Sequence, residues 1–358
     1  KVAEAGLIFL LAAHLTGGVR LLALEFLPWR DWQKTLVAVS GGLSFGAGLF
    51  VTPHGLHVDS DGNVWIADAR SANARELEAN PAAAGRGHAV LKFSPTGELL
   101  LTLGTPGEAG DPPTHFTEPN DVLVAPDGSI FVAEAHSAQF QDEPGPNSIG
   151  RISKFAPDGT FIMSFGSWGY EDGQFRAPHS FAMDSQGRLF IADRGNRRIQ
   201  IFDQEGTHLD TWYQFSRNSG IYIDANDVLY AIDSESDDNY NPGWRKGLRV
   251  GSARTGEVWY FTQEHVSARA SGMGGVGSMG EGVTADAEGN VIAGEVGPVQ
   301  GLTKFVPQLT RADLTLGATS EDRKQNWAFP FGAGLLVMGG LMLGAKMFGG
   351  NEADKTAA

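Results

Sequence analysis

The chain has 358 residues and no cysteine, which excludes disulfides, thiolate metal sites and a cysteine nucleophile. Its net charge of −15, without a basic patch interleaved with aromatic residues, argues against a nucleic-acid partner. A hydrophobic fraction of 42% is typical of a globular core, and 48 glycines favour a turn-rich, all-β protein.

Residues 1–52 differ from the rest of the chain. Two almost uncharged stretches, 2–27 and 36–52, flank a polar hinge that contains Arg30 and Lys34. Because a membrane helix needs about 20 mostly apolar residues, we predict that residues 1–52 are a membrane anchor of one or two transmembrane helices. A cleaved signal peptide is the competing interpretation, but the run is long and has no clear Ala-x-Ala site.

A single pattern returns five times between Pro53 and about Val306. Each copy contains an apolar strand, an Asp-Gly-like turn and a second strand that ends in Ala plus an acid, as in 64–68. A third strand, a second turn and a fourth strand follow. Four short strands with turns at fixed offsets make one propeller blade, so we predict a β-propeller over 53–306. We expect six blades, the sixth completed by strands near 36–50 or after Val306.

Long insertions interrupt the repeats at residues 70–89, 135–149 and 234–246. They are rich in Asn, Asp, Pro, Gly and Ala. Loops of this length usually serve function or are mobile. We predict that they lie on one face of the propeller and cover a pocket.

The C-terminal part resembles the N-terminal part in composition. Residues 307–327 read as a polar linker, and 328–345 is an uncharged run, so we predict a transmembrane helix over 328–348. A buried helix is the alternative, although the apolar residues do not follow one face. Basic residues between the first two spans and after the last predict a propeller on the extracytoplasmic (periplasmic) side. The expected partners are membrane lipid and, through glycine-rich helices, other membrane subunits.

One polar position recurs in every repeat. Aligning the repeats on their turns places a polar residue seven positions before each turn, and we call these five residues the ring: His54, Asn120, His179, Ser219 and Glu281. First strands line a propeller's axis, so the ring side chains should converge. The two imidazoles and the carboxylate in alternate repeats suit zinc or non-haem iron. A structural hydrogen-bonding role for each histidine is the alternative.

Three motifs of the chain resemble the peptidyl-α-hydroxyglycine α-amidating lyase family of NHL-repeat propellers. They are Pro53-His54-Gly55-Leu56, Ala177-Pro178-His179-Ser180 and Ala192-Asp193-Arg194-Gly195-Asn196-Arg197-Arg198-Ile199-Gln200. The likeness covers about residues 43–306 and is best in the first three repeats. The resemblance implies a six-bladed propeller, zinc held by His54 and His179, and Arg194 as the clamp for a substrate that splits into a peptide amide and glyoxylate.

The chain departs from the family pattern at three positions. The family's third zinc histidine falls on Glu281, and the aspartate that helps hold its structural calcium falls on Gly282, so calcium is not expected. The family's catalytic tyrosine falls on His136. An imidazole titrates near neutral pH, which makes His136 a candidate general base. Arg194 is expected to bind a carboxylate, or else to form a salt bridge with an acid of the sheets such as Asp193 or Glu134.

Two functions remain open from the sequence. The first is a membrane-anchored, metal-dependent carbon–nitrogen lyase, supported by His54, His179 and Arg194. The second is a non-catalytic accessory subunit of a respiratory or photosynthetic membrane complex, supported by the glycine-rich helices and the altered catalytic positions. Metal content distinguishes them.

Overall fold

A computed structural model of the protein describes residues 49–145, 148–263, 280–295 and 301–307. These residues form five antiparallel sheets of strands consecutive in sequence, four sheets with four strands and one with three. The strands of the first two sheets are β1 (Pro53–Val58), β2 (Val64–Asp68), β3 (Ala89–Phe93), β4 (Leu99–Leu103), β5 (Pro119–Val124), β6 (Ile130–Glu134), β7 (Arg151–Phe155) and β8 (Phe161–Phe165). A two-stranded parallel pair follows, made of β9 (Ser167–Trp168) and β10 (Gln174–Phe175).

The remaining three sheets repeat the arrangement. Their strands are β11 (Pro178–Met183), β12 (Leu189–Asp193), β13 (Arg198–Phe202), β14 (His208–Trp212), β15 (Gly220–Ile223), β16 (Val228–Asp233), β17 (Gly247–Ser252), β18 (Val258–Gln263), β19 (Gly282–Ala285), β20 (Val291–Glu295) and β21 (Gly301–Phe305). The first strands β1, β5, β11, β15 and β19 contact one another in chain order. They therefore lie around the axis, and the predicted all-β propeller is confirmed.

The second strand of each complete sheet is buried along its whole length. These strands, such as Val64–Asp68 and Leu189–Asp193, are runs of β-branched, aromatic and small residues. Both faces are covered, by neighbouring sheets or, on the outer face of the first sheet, by Phe50, so the strands show no polar alternation. Each adjacent pair of sheets shares one apolar cluster, for example Trp65 and Phe155 between the first and second sheets. Packing between sheets thus supplies the core.

In the first three sheets, the acid that ends the second strand ties the sheet together. Asp193 accepts a hydrogen bond from the backbone N–H of Arg176 at 2.8 Å, directly before the first strand of the same sheet. Glu134 accepts one from Thr117 in the same way at 2.9 Å. Charge-assisted bonds of this kind are shorter and stronger than neutral ones. In these three sheets the Ala-plus-acid ending therefore fixes where the first strand begins.

The insertions contain short helical elements as well as irregular chain. Helix α1 (Ala74–Ala79) lies in the first insertion and starts with a capping box between Asn73 and Glu76. Single 3-10 turns cover Pro81–Ala83, His136–Phe140 and Arg194–Asn196.

Several sequence predictions fall outside the described residues. They are the sixth blade, the N-terminal anchor apart from its last residues, the linker after Pro307 and the helix at 328–348. Among the described residues, none of the helices has the length and apolarity needed to cross a bilayer.

Candidate metal centre

Irregular strand pairing positions the first three ring residues. In β1, β5 and β11 the pairing register shifts directly after the first proline of the strand. His54, Asn120 and His179 occupy these bulges. A bulge leaves one residue unpaired and re-aims its side chain. Ser219 and Glu281 directly precede β15 and β19, so the ring predicted from the repeats lies at one end of the first strands.

Hydrogen bonds between neighbouring sheets hold the ring side chains. His54 Nδ1 lies 2.8 Å from the backbone oxygen of Asn120, and His179 Nδ1 lies 2.6 Å from that of Ser219. The amide of Asn120 donates in the same way to the carbonyl of Pro178 at 3.0 Å. A carbonyl can only accept, so each Nδ1 carries the proton and each Nε2 keeps a free lone pair.

Three imidazoles meet beside the axis. The centroid of the His54 imidazole lies 4.8 Å from that of His136 and 4.6 Å from that of His179. The centroids of His136 and His179 are 5.3 Å apart. One nitrogen from each lies within 4.8 Å of the other two. Three histidine nitrogens with an open fourth position are a donor set of catalytic zinc sites.

The surroundings keep these imidazoles neutral. Burial, partly offset by the bond to Asn120, lowers the pKa of His54 to about 4. Burial, followed by the neighbouring His54 and Arg194, lowers the pKa of His136 to about 3. Burial and Arg194 hold the pKa of His179 well below its usual range. All three are therefore neutral near pH 7, the form that binds metal.

Glu281 reaches the same centre from the fifth sheet. One of its carboxylate oxygens lies 3.4 Å from His179 Nε2, which is buried and has no hydrogen-bond partner among the described residues. Both atoms are acceptors once Nδ1 holds the imidazole proton, so a cation or a proton between them would stabilise the contact. Burial raises the pKa of the Glu281 carboxyl, while Arg194 opposes the shift.

Arg194 closes the other side of the centre. It follows the acid that ends β12, and its side chain is 1% exposed. One terminal nitrogen donates to Glu281 at 3.1 Å and to Ser219 Oγ at 3.3 Å. The other donates to His136 Nε2 at 3.1 Å. The guanidinium therefore links the Glu281 carboxylate, the Ser219 hydroxyl and the His136 imidazole.

The structure brings together all five residues singled out from the sequence: His54, His136, His179, Arg194 and Glu281. It arranges them differently from the expected ligand set, because the third residue within ligand distance of both ring histidines is His136. Arg194 does form the salt bridge given as the alternative, but its partner is Glu281 and not Asp193 or Glu134. Those acids pair instead with Arg198 and Arg151, each at 2.9 Å, since the third strand faces them directly.

Sequence reasoning missed Arg217, Glu235 and Gln139. Arg217 donates to Glu235 at 2.7 Å and to Gln139 Oε1 at 2.6 Å, and a further bond of 2.9 Å runs to the carbonyl of Arg194. A signal was present for Glu235. It follows the acid that ends β16 by two residues, as His136 follows the acid that ends β6. Residues after these acids turn toward the axis.

An NHL repeat model matches residues 175–202, within and around the third sheet. Peptidyl-glycine alpha-amidating monooxygenase A of Xenopus laevis is 39% identical over 172 residues, covering 45% of this chain and 15% of that protein. NHL repeat-containing protein 3 of Homo sapiens is 34% identical over 167 residues, 45% of this chain and 42% of that protein.

A probable peptidyl-alpha-hydroxyglycine alpha-amidating lyase of Caenorhabditis elegans is 32% identical over 161 residues, 44% of this chain and 39% of that protein. The chain thus covers less than half the length of each of these three relatives. The class that fold and comparisons define is an NHL-repeat β-propeller, homologous to amidating-lyase proteins at modest identity.

Proposed function

We propose that the protein is a metal-dependent carbon–nitrogen lyase acting on carbinolamides, amides whose nitrogen carries a hydroxylated carbon. The observation that carries the proposal is the cluster of three neutral imidazoles, one buried and two half-buried, from two sheets and one insertion. The similarity to proteins named for amidating-lyase activity supports the reaction class. Zinc fits the nitrogen donors best, and iron is the second candidate.

His54, His136 and His179 would hold the metal, with Glu281 beside them, and the metal would replace the Arg194 N–H at the one free lone pair of the His136 imidazole. This differs from the set of His54, His179 and Glu281 expected from the ring, because His136 presents a nitrogen to both ring histidines. When bound, a zinc ion would supply Lewis-acid polarisation of a substrate oxygen. The Nδ1–H bonds to backbone carbonyls orient the ring imidazoles and fix their tautomer.

Glu281 suits the role of proton acceptor. Its side chain is 36% exposed, and partial burial raises the pKa of its carboxyl toward the useful range. His136 is a weak base because its pKa is about 3. The proton leaves the carbinol hydroxyl to Glu281, the carbonyl forms, the C–N bond breaks, and the amide nitrogen takes the proton from the Glu281 carboxyl.

The proposal includes a membrane-anchored chain with its propeller on the extracytoplasmic side. It rests on the uncharged runs within 1–52 and 328–348 and on the distribution of basic residues. Extraction of the intact chain by carbonate or high salt without detergent would contradict the anchor.

The deciding experiment is elemental analysis of the wild type and of a His54→Ala, His179→Ala double variant after washing with chelator and reloading with zinc. We expect one zinc per wild-type chain and none in the variant. Equal metal in both would remove the site and favour the accessory-subunit alternative. Turnover of a carbinolamide, followed as release of amide and aldehyde, then tests the activity.

A further inference from the structure

The guanidinium of Arg194, the cation beside the three imidazoles, is already paired within the chain. Both terminal nitrogens of Arg194 are engaged, one with Glu281 and Ser219 and the other with His136. Its Nε has no hydrogen-bond partner among the described residues, but that atom is buried and out of reach of a ligand. Two N–H groups on one edge are what a guanidinium needs to grip a substrate carboxylate. Arg194 offers no such edge while Glu281 is in place.

The neighbouring charges cancel as well. Arg217 pairs with Glu235 at 2.7 Å, and Glu235 also lies 3.7 Å from Arg194. Two guanidinium groups therefore face two carboxylates, Glu235 and Glu281. A substrate carboxylate entering beside Arg194 would meet the Glu281 carboxylate at close range in a partly buried site, where like charges repel strongly. The arrangement works against an anionic substrate.

We propose that Glu281 makes the site selective for carbinolamides without a carboxylate on the reacting carbon. This inference rests on the proposed lyase function and narrows its substrate class. The substrates are N-(1-hydroxyalkyl) amides with an uncharged alkyl group. Cleavage moves the hydroxyl proton to the base and the C–N electron pair to nitrogen, which is protonated, so the products are a primary amide and a neutral aldehyde. No oxidant or reductant is needed.

The first test compares two substrates of the zinc-loaded wild type. N-(Hydroxymethyl)benzamide carries no charge, and N-benzoyl-α-hydroxyglycine carries a carboxylate on the reacting carbon. We expect kcat/KM to be at least about tenfold higher for the uncharged substrate, since an unmatched buried charge is strongly discriminated against. A preference for the carboxylate substrate would overturn the inference.

The second test measures binding, so it stands whether or not turnover is seen. N-benzoylglycine is titrated by calorimetry into wild type and Glu281→Gln, each metal-free and zinc-loaded. We expect the variant to bind this carboxylate at least about tenfold more tightly, because Arg194 is released from its partner. Benzamide should bind both proteins equally. Glu205→Gln is the matched control. It removes the same charge from a side chain that is 75% exposed on a distant turn.

The two tests separate the two proposals. Suppose that the zinc-loaded wild type turns over neither carbinolamide, while Glu281→Gln binds N-benzoylglycine more tightly than the wild type. That result would reject the lyase function and retain the role of Glu281 in excluding anions. Equal affinity of wild type and Glu281→Gln for N-benzoylglycine would reject that role even in an active enzyme.

Discussion

Arg217 donates a hydrogen bond of 2.9 Å to the backbone carbonyl of Arg194, so one buried guanidinium holds the main chain of another arginine in place. Its remaining nitrogens bind Glu235 and Gln139. Gln139 belongs to the same 3-10 turn as His136. Arg217 therefore connects three segments that carry groups of the metal centre.

We expect Arg217→Met to lower the free energy of unfolding by about 3 kcal/mol, because removal of one partner leaves buried acceptors without donors. Urea denaturation measures the change. Arg245→Met is the control, since that exposed side chain lies 3.9 Å from Asp238 and its loss should cost at most about 0.5 kcal/mol. Equal effects of the two substitutions would contradict the bridging role.

Zinc affinity distinguishes the two ligand sets. If His136 is the third ligand, His136→Phe should weaken zinc binding by about 100-fold or more, whereas Glu281→Gln should weaken it by no more than about tenfold, the effect of a neighbouring group. Competition with a chromophoric chelator measures both. His115→Ala serves as the control, because this partly exposed imidazole pairs with Glu108 in a loop. The reverse order would restore Glu281 as the ligand.

The buried pair of Asp193 and Arg198 should stabilise the third sheet. Their side chains are 0% and 3% exposed and are bonded at 2.9 Å. Asp193→Ala should cost about 3–5 kcal/mol of unfolding free energy, because it leaves the buried guanidinium of Arg198 without its partner. A double variant, Asp193→Leu with Arg198→Met, should lose less than the single one. A larger loss in the double variant, measured by denaturation, would show that the ion pair itself carries the stability.

Asp121 should make stability depend on pH. It lies deep within the ring of sheets although part of its surface is accessible, and burial raises the pKa of its carboxyl to about 7. Because the folded-state pKa lies above the unfolded value near 3.8, the protonated form favours folding. This contribution is complete below pH 3.8 and is lost as the pH rises to about 7, by up to about 4 kcal/mol.

Thermal unfolding of the wild type and Asp121→Asn between pH 4 and pH 8.5 tests this dependence. Asparagine does not titrate, so the wild type should lose stability relative to the variant as the pH rises to about 7, and the difference should then stay constant. Parallel curves over the whole range would contradict the raised pKa.

The sheets and the ring could be predicted from the sequence because their information is local. Each repeat carries its own strands and turns, and the count of seven residues from turn to ring holds in every copy. His54 and His179 were found in this way. The position of one side chain on a first strand fixes the others by the symmetry of the repeats.

The family resemblance, and not the repeat pattern, assigned His136 to the site, and its ligand position could not be predicted from the repeats. The chain reverses at Ala135, which has a φ of 90° and a ψ of 63° in the left-handed region. That region favours glycine, so an alanine there gives no warning of the turn. The pairing of Arg194 depends likewise on residues far along the chain, among them Glu281 in the fifth sheet. Such contacts follow from the arrangement of the sheets around the axis.

The groups that orient the ring histidines are main-chain carbonyls of the next sheet. A carbonyl is present there whatever side chain that sheet carries. One substitution at a ring position can therefore change a nitrogen donor into an oxygen donor, or remove it, without moving the backbone. A propeller of this kind can acquire, alter or lose a metal through point changes while its folding stays the same, so the strand pattern identifies the scaffold, and the side chains at the axis, those of the ring and His136, identify the chemistry.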